Sequence, residues 1–162
     1  MAVLALRGLS GSPLGDTGPT PWGAWLDPMY VELLTTNGRD IQVFTAVRFV
    51  DKHGVVHTIP HGFVSDGASI PKKAWSLVGG PLSGKYRRAS VLHDKLLQER
   101  LMSVELAHAL FYDAMRADGV TAEQADLFYN AVVAATWWSR IGALRALATA
   151  SWRVVRRVIP RI

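Results

Sequence analysis

The sequence predicts an α+β domain in which a small antiparallel β-meander is followed by three to four helices packed on one face. Three observations lead to this prediction. Residues 1–28 are rich in glycine and proline, residues 29–65 hold β-rich runs separated by turns, and helical periodicity follows up to residue 159. Strands first and helices afterwards are typical of α+β folds. The 162 residues have room for one domain and an appendage.

The first segment, residues 1–28, is predicted to be an extended arm, because its glycines and prolines leave no periodic apolar stretch. We expect Trp22 and Trp25 to anchor this arm onto another surface. The simpler alternative is a loose N-terminus pinned by one tryptophan. The predicted domain then spans residues 29–135, and residues 136–162 form an amphipathic C-terminal helix.

Two turns organise the predicted meander. Asn37–Gly38 separates the β-rich runs 29–34 and 41–50, and both turn residues accept a positive φ. A second turn at 52–54 leads into the run 55–59. The pattern therefore predicts three consecutive antiparallel strands.

The first three predicted helices are bounded by capping residues and glycines. Ser69 with Pro71 resembles a helix start, and that short helix ends near Gly79. A second helix is predicted over 85–100. Ser103 is expected to cap a third helix, which runs to about Asp118.

The last predicted helix begins at Thr121, because Thr121 and Gln124 have the spacing of a capping box. It continues to Ile159, with or without a break near Gly142, and Pro160 stops it.

Three polar residues form the main candidate site. His93 and Asp94 lie on the second predicted helix, and His108 lies on the third. They are at similar distances from the connecting turn, so an antiparallel helix pair places them side by side. These residue types bind divalent metals such as zinc, and Asp66 is the expected fourth ligand or general base. The alternative is a structural polar network, in which Asp94 ties down a loop and Asp66 caps the helix near Ser69.

The C-terminal segment carries the excess positive charge of the chain. Residues 131–162 hold six basic and no acidic residues, whereas the other residues hold 12 basic and 13 acidic ones. A DNA-coating role for the whole domain is therefore not expected. A narrow apolar stripe also runs along this segment at helical spacing; its members are Trp137, Ile141, Leu144, Ala148, Trp152, Val155 and Ile159.

A basic amphipathic helix of this kind has three uses. It packs against a partner helix or a second copy, it lies on an anionic membrane surface, or it covers its own domain. We predict partner binding. The residues expected to carry it are Trp22, Trp25, Trp137, Trp138, Arg145, Trp152, Arg153, Arg156 and Arg157.

Several functional classes lack support in the sequence. The absence of cysteine excludes a disulfide-stapled scaffold, a thiolate zinc site and a cysteine nucleophile. The phosphate-loop, dinucleotide-binding, zincin and serine-hydrolase motifs are absent as well.

One segment, from His61 to about Val133, resembles a known family. The matching residues are Gly62–Phe63, Asp66 to Pro71, Trp75, Leu92–His93–Asp94, Ala107 to Phe111, Met115, Gly119 and Tyr129. This pattern resembles the DUF1353 family, found mostly in tailed bacteriophages and prophages. His108 stands where the family pattern has an aspartate. The resemblance implies a phage origin but no established reaction.

These observations lead to two functional expectations. The first is a phage structural protein of the tail or tail tip, made in the host cytoplasm, whose terminal arms dock to copies of itself or to other structural proteins. The second is a metal-dependent hydrolase acting on the bacterial cell wall, with His93, Asp94 and His108 as metal ligands.

Overall fold

The computed structural model describes residues 3–5, 19–34, 40–65 and 85–158, with the backbone alone for 3–5 and 143–158. In these residues seven short strands precede three helices, which confirms the predicted α+β class. The elements are β1 (Val3–Ala5), β2 (Gly23–Trp25), β3 (Tyr30–Leu33), β4 (Ile41–Val43), β5 (Val47–Asp51), β6 (Val56–Ile59), β7 (Val64–Ser65), α1 (Arg87–Gln98), α2 (Val104–Ala117) and α3 (Ala122–Val158). The predicted turn Asn37–Gly38 and the predicted helix from Ser69 to Gly79 lie outside the described residues.

The strands form two antiparallel sheets, where the sequence predicted a single meander. The first sheet has the order β1-β3-β4-β7 and the second the order β2-β5-β6. The predicted strand 41–50 is therefore two strands, because the chain passes from one sheet to the other between Val43 and Val47. Ile41, Val43, Val47 and Phe49 are all buried, so the alternation of apolar residues continues across the break and does not reveal it.

The last part of the predicted arm belongs to the folded domain. β2 pairs with β5, and Trp25 is fully buried, with its indole N–H donating to the carbonyl of Ala114 at 3.2 Å. The Arg88 guanidinium lies 4.7 Å from the centre of this ring and donates to the carbonyl of Asp27. Burial of the large indole favours ordering of this glycine- and proline-rich segment.

Arg88 also joins the start of α1 to the end of α2. Its guanidinium forms an ion pair with Asp118, and both side chains are fully buried. Burial raises the pKa of Asp118 to about 6, against the opposing effect of the Arg88 charge. This buried pair lies beside Trp25, so it fixes β2 and the two helices relative to one another.

The helix bounds follow the predicted capping residues. The Ser103 hydroxyl accepts a hydrogen bond from the N–H of Leu106 at 3.2 Å, and Thr121 accepts one from the N–H of Gln124 at 3.3 Å. Both predicted caps are therefore confirmed. These bonds satisfy backbone donors that have no partner inside a helix.

Helix α3 has 37 residues and continues without a break through Gly142. Ala125, Phe128 and Val132 are buried, and α3 packs against α2. Most side chains from residue 133 to 142 are exposed. The predicted boundary between residues 135 and 136 thus falls inside a continuous helix and separates its buried part from an exposed continuation.

Candidate functional site

Two buried histidines meet between the first two helices, as the antiparallel arrangement predicts. The Nε2 atom of His93 on α1 and the Nδ1 atom of His108 on α2 are 2.8 Å apart, so one ring donates a hydrogen bond to the other. The two residues are 1% and 3% exposed. The ring of His93 also stacks on Phe111, with 4.8 Å between the ring centroids.

A third side chain extends this pair to α3. The Nε2 atom of His108 lies 2.9 Å from the hydroxyl oxygen of Thr136. One side chain from each helix thus forms a continuous hydrogen-bonded row, the His–His–Thr chain (His93, His108 and Thr136). Thr136 was not predicted from the sequence; the available signal was its position four residues after the buried Val132, on the same helix face.

Burial keeps both imidazoles uncharged at neutral pH. Burial lowers the pKa of His93 to about 3, with a smaller contribution from His108. Burial also lowers the pKa of His108; Glu105 acts in the opposite direction and Arg140 adds to the lowering. Each neutral ring carries one N–H and one lone pair. The Nδ1 atom of His93 is buried and has no hydrogen-bond partner among the described residues.

Asp94 bonds to a strand, and it forms no metal-holding group with the two histidines among the described residues. Its buried carboxylate accepts a hydrogen bond from the hydroxyl of Ser65 in β7. Successive helical residues point about 100° apart, so His93 and Asp94 face different neighbours. Asp94 therefore fastens β7 to α1, as in the alternative in which it ties down a loop.

The predicted metal site is not assembled by the side chains described. Among them, no three His, Cys, Asp or Glu residues form a group able to hold a metal ion. The 2.8 Å between the histidine nitrogens is a hydrogen-bond distance, whereas two nitrogens bound to one tetrahedral zinc lie about 3.3 Å apart. The pair as arranged does not fit zinc. Asp66, the predicted ligand or general base, lies outside the described residues.

A groove of about 480 Å³ opens beside the His–His–Thr chain between the three helices. Its volume is typical of small-molecule sites, which span roughly 300–1,000 Å³. Across its exposed rim, Arg140 forms a 2.9 Å ion pair with Glu105. The lining residues are His93, Leu97, Val104, His108, Val132, Ala135, Thr136, Ser139 and Arg140.

The tryptophans predicted to bind partners fall into two groups. Trp25 is fully buried in this chain, and Trp22 packs edge-on against Tyr112 with Arg116 over its ring. Both residues therefore dock the arm onto this chain's own domain, and Trp25 has no surface left for a neighbour.

The second group lies on α3. Trp137 and Trp138 are 58% and 63% exposed, and their rings meet edge to face with 5.4 Å between centroids. The described ranges contain no helix with the sustained apolar length of a membrane span. The side chains of the other predicted partner-binding residues are not among those described; they are Arg145, Trp152, Arg153, Arg156 and Arg157.

Comparison with known proteins identifies the family. The uncharacterized protein y4jT of Sinorhizobium fredii is 42% identical over 84 residues, which cover 52% of this chain and 25% of that protein. The uncharacterized protein y4iH of the same organism is 36% identical over 86 residues, covering 53% of this chain and 36% of that protein. This chain thus spans about a quarter to a third of the length of these relatives.

No solved structure gives a significant match. A family model described as "Protein of unknown function (DUF1353)" matches residues 41–132. The matched segment runs from β4 into α3, includes His93 and His108, and stops before Thr136 and the exposed tryptophans. Because the model matches more than half of the chain, the protein belongs to the DUF1353 family.

Proposed function

We propose that the protein is a virion-associated structural protein of a tailed bacteriophage or prophage, which docks to neighbouring subunits through the exposed face of α3. The observation that carries this proposal is the exposure of two adjacent tryptophans, Trp137 and Trp138. An exposed cluster of large aromatic side chains is a common mark of a protein interface. The phage assignment is supported by the resemblance described above.

The direction of the exposed face supports docking outside the domain. Ala125, Phe128 and Val132 face the core, whereas Trp137 and Ile141 begin the apolar stripe. At about 100° per residue, these two sets lie on roughly opposite sides of the helix. Trp137 and Ile141 therefore do not continue the core-facing side, so they are available to a partner.

The charge of the C-terminal segment supports a particular kind of partner surface. Residues 131–162 carry six arginines and no acidic residue. Complementary charge speeds association and selects among partners. We expect the apolar contact on the partner, a second copy or another structural protein of the tail, to be bordered by acidic side chains.

Light scattering on purified protein and mass spectrometry of particles released from the host test the proposal. We expect wild-type protein to form a defined assembly and to be present in the particles. The double variant Trp137→Ser/Trp138→Ser should lose both properties. Leu106→Ser is the matched control, because Leu106 is a 61% exposed apolar residue on α2. The proposal is contradicted if wild-type protein is a monomer that is absent from particles. It is also contradicted if the tryptophan variant and Leu106→Ser assemble and enter particles equally.

The metal-dependent alternative stays a prediction. It requires His93 and His108 to separate and Asp66, or another residue outside the described ranges, to complete the ligand set. Elemental analysis of protein purified without chelator tests it. A stoichiometric metal that His93→Ala removes would support it, whereas metal-free protein with full function would contradict it.

A further inference from the structure

We propose that the groove beside the His–His–Thr chain is an acyl-transfer site for small esters or amides. In this site the hydroxyl of Thr136 is the nucleophile, His108 is the general base, and His93 positions His108. This inference goes beyond the proposed structural function and does not depend on it, since the groove and the exposed tryptophans are separate surfaces of α3.

The geometry has the three parts that an activated hydroxyl requires. The hydroxyl of Thr136 lies 2.9 Å from the Nε2 atom of His108, and the other nitrogen of that ring lies 2.8 Å from His93. A nucleophile within hydrogen-bond reach of a base, with the base held by a third group, is the arrangement found in hydroxyl-dependent acyl transfer. Each member comes from a different helix, so the relative positions are fixed by the packing of the domain.

The proposed role requires one particular tautomer of each histidine. To accept the proton of Thr136, the Nε2 atom of His108 must carry a lone pair, and its N–H must then lie on Nδ1 and donate to His93. Neutral His93 then carries its remaining proton on Nδ1, a buried nitrogen that has no hydrogen-bond partner among the described residues.

The groove gives a substrate access to the hydroxyl. Thr136 is partly exposed, whereas both histidines are buried behind it. The guanidinium of Arg140 lines the same groove and supplies hydrogen-bond donors for a substrate oxygen. The apolar lining from all three helices suits a small acyl group.

The reaction balances with water as the second reactant. The oxygen of Thr136 bonds to the carbonyl carbon as its proton passes to His108. The bond to the alcohol or amine then breaks, and the leaving group takes that proton from His108. Water, deprotonated by His108, attacks the acyl-threonine, which releases the carboxylic acid and returns the proton to Thr136.

A fluorophosphonate probe tests the site without knowledge of the natural substrate, because an activated hydroxyl displaces its fluoride and forms a stable bond to phosphorus. Peptide mass spectrometry of the labelled full-length protein identifies the modified residue. We expect labelling at Thr136 in wild-type protein, retained in Thr136→Ser and absent in Thr136→Val. Ser139→Ala is the matched control, since it removes a hydroxyl from the same groove.

The two histidine positions separate a base from a positioning residue. His108→Gln should slow labelling on the order of 100-fold, the usual contribution of a general base. His93→Leu should also slow labelling, and His93→Gln should restore it, because the glutamine oxygen accepts the same hydrogen bond from His108. A folded wild-type protein that is not labelled at Thr136, or labelling that is unchanged in His108→Gln, overturns the proposal. If Thr136→Val does not fold, the position of the label in wild type and in Thr136→Ser still decides the test, because the proposal requires it at residue 136 in both proteins.

Discussion

Acidification should destabilise the folded protein through His93. The pKa of this imidazole is about 3 in the folded state and 6.5 when it is solvated, so it takes up a proton on unfolding at any pH between these values. Because the pKa of His93 is lowered by folding, the stability that the neutral ring contributes is fully present above pH 6.5. This stability is lost as the pH falls towards 3. A pH of 5 lies 1.5 units below the pKa of the solvated imidazole. At this pH the free energy of unfolding is therefore lower by about 2 kcal/mol than at high pH.

The comparison of two variants isolates this contribution. Urea unfolding at pH 8 and pH 5 gives the free energy of unfolding for wild type, His93→Gln and the control His53→Gln, which changes an exposed histidine in the turn after β5. Asp118, whose pKa burial raises to about 6, titrates in the same range with the opposite sign, but it is common to all three proteins. We expect wild type and the control to lose about 2 kcal/mol more than His93→Gln between the two pH values.

The refuting result is an equal loss of stability in wild type and His93→Gln. It would mean that His93 is already protonated in the folded state at pH 5. A buried imidazole that stays neutral takes up its proton only on unfolding, and wild type would then lose more stability than His93→Gln. The His–His–Thr chain as described would then be wrong, since its hydrogen bonds assume neutral rings. A smaller contribution of the same sign is expected from His108, whose pKa burial also lowers.

Further substitutions test the packing and the exposed helix. Arg88→Met leaves the buried carboxylate of Asp118 without its cation and should lower the free energy of unfolding by about 3–5 kcal/mol. Arg48→Met removes an exposed ion pair and should lower the free energy of unfolding far less than Arg88→Met does in the same urea titration. Trp137→Ser/Trp138→Ser should change the free energy of unfolding of the isolated domain by less than about 0.5 kcal/mol while abolishing association, because these side chains lie outside the core.

Features encoded by neighbouring residues were predictable from the sequence. The starts of α2 and α3 follow from Ser103 and Thr121, whose hydroxyls cap the next turn of chain. The meeting of His93 and His108 follows from their positions in an antiparallel helix pair joined by a short turn. Periodicity and capping act over a few residues, so one sequence is sufficient to read them.

Features that depend on distant contacts were not predictable in the same way. Trp25 looks like part of a loose arm, and its burial depends on a pocket formed by Arg88 and Ala114, more than 60 residues away. Thr136 lies 28 residues after His108 in the sequence, and the two side chains meet only because α3 packs against α2. The split of the predicted meander into two sheets likewise depends on which strands pair, and residue alternation alone does not encode that choice.

Photo-crosslinking in assembled particles determines whether the exposed face of α3 contacts another subunit. A photoreactive amino acid is placed at Trp138 or, as the control, at Leu106, and cells producing the phage particles are illuminated. We expect a crosslink from position 138 to a second copy or to a tail protein inside purified particles, with none from position 106. Crosslinks only within the same chain, or equal products from both positions, would contradict it.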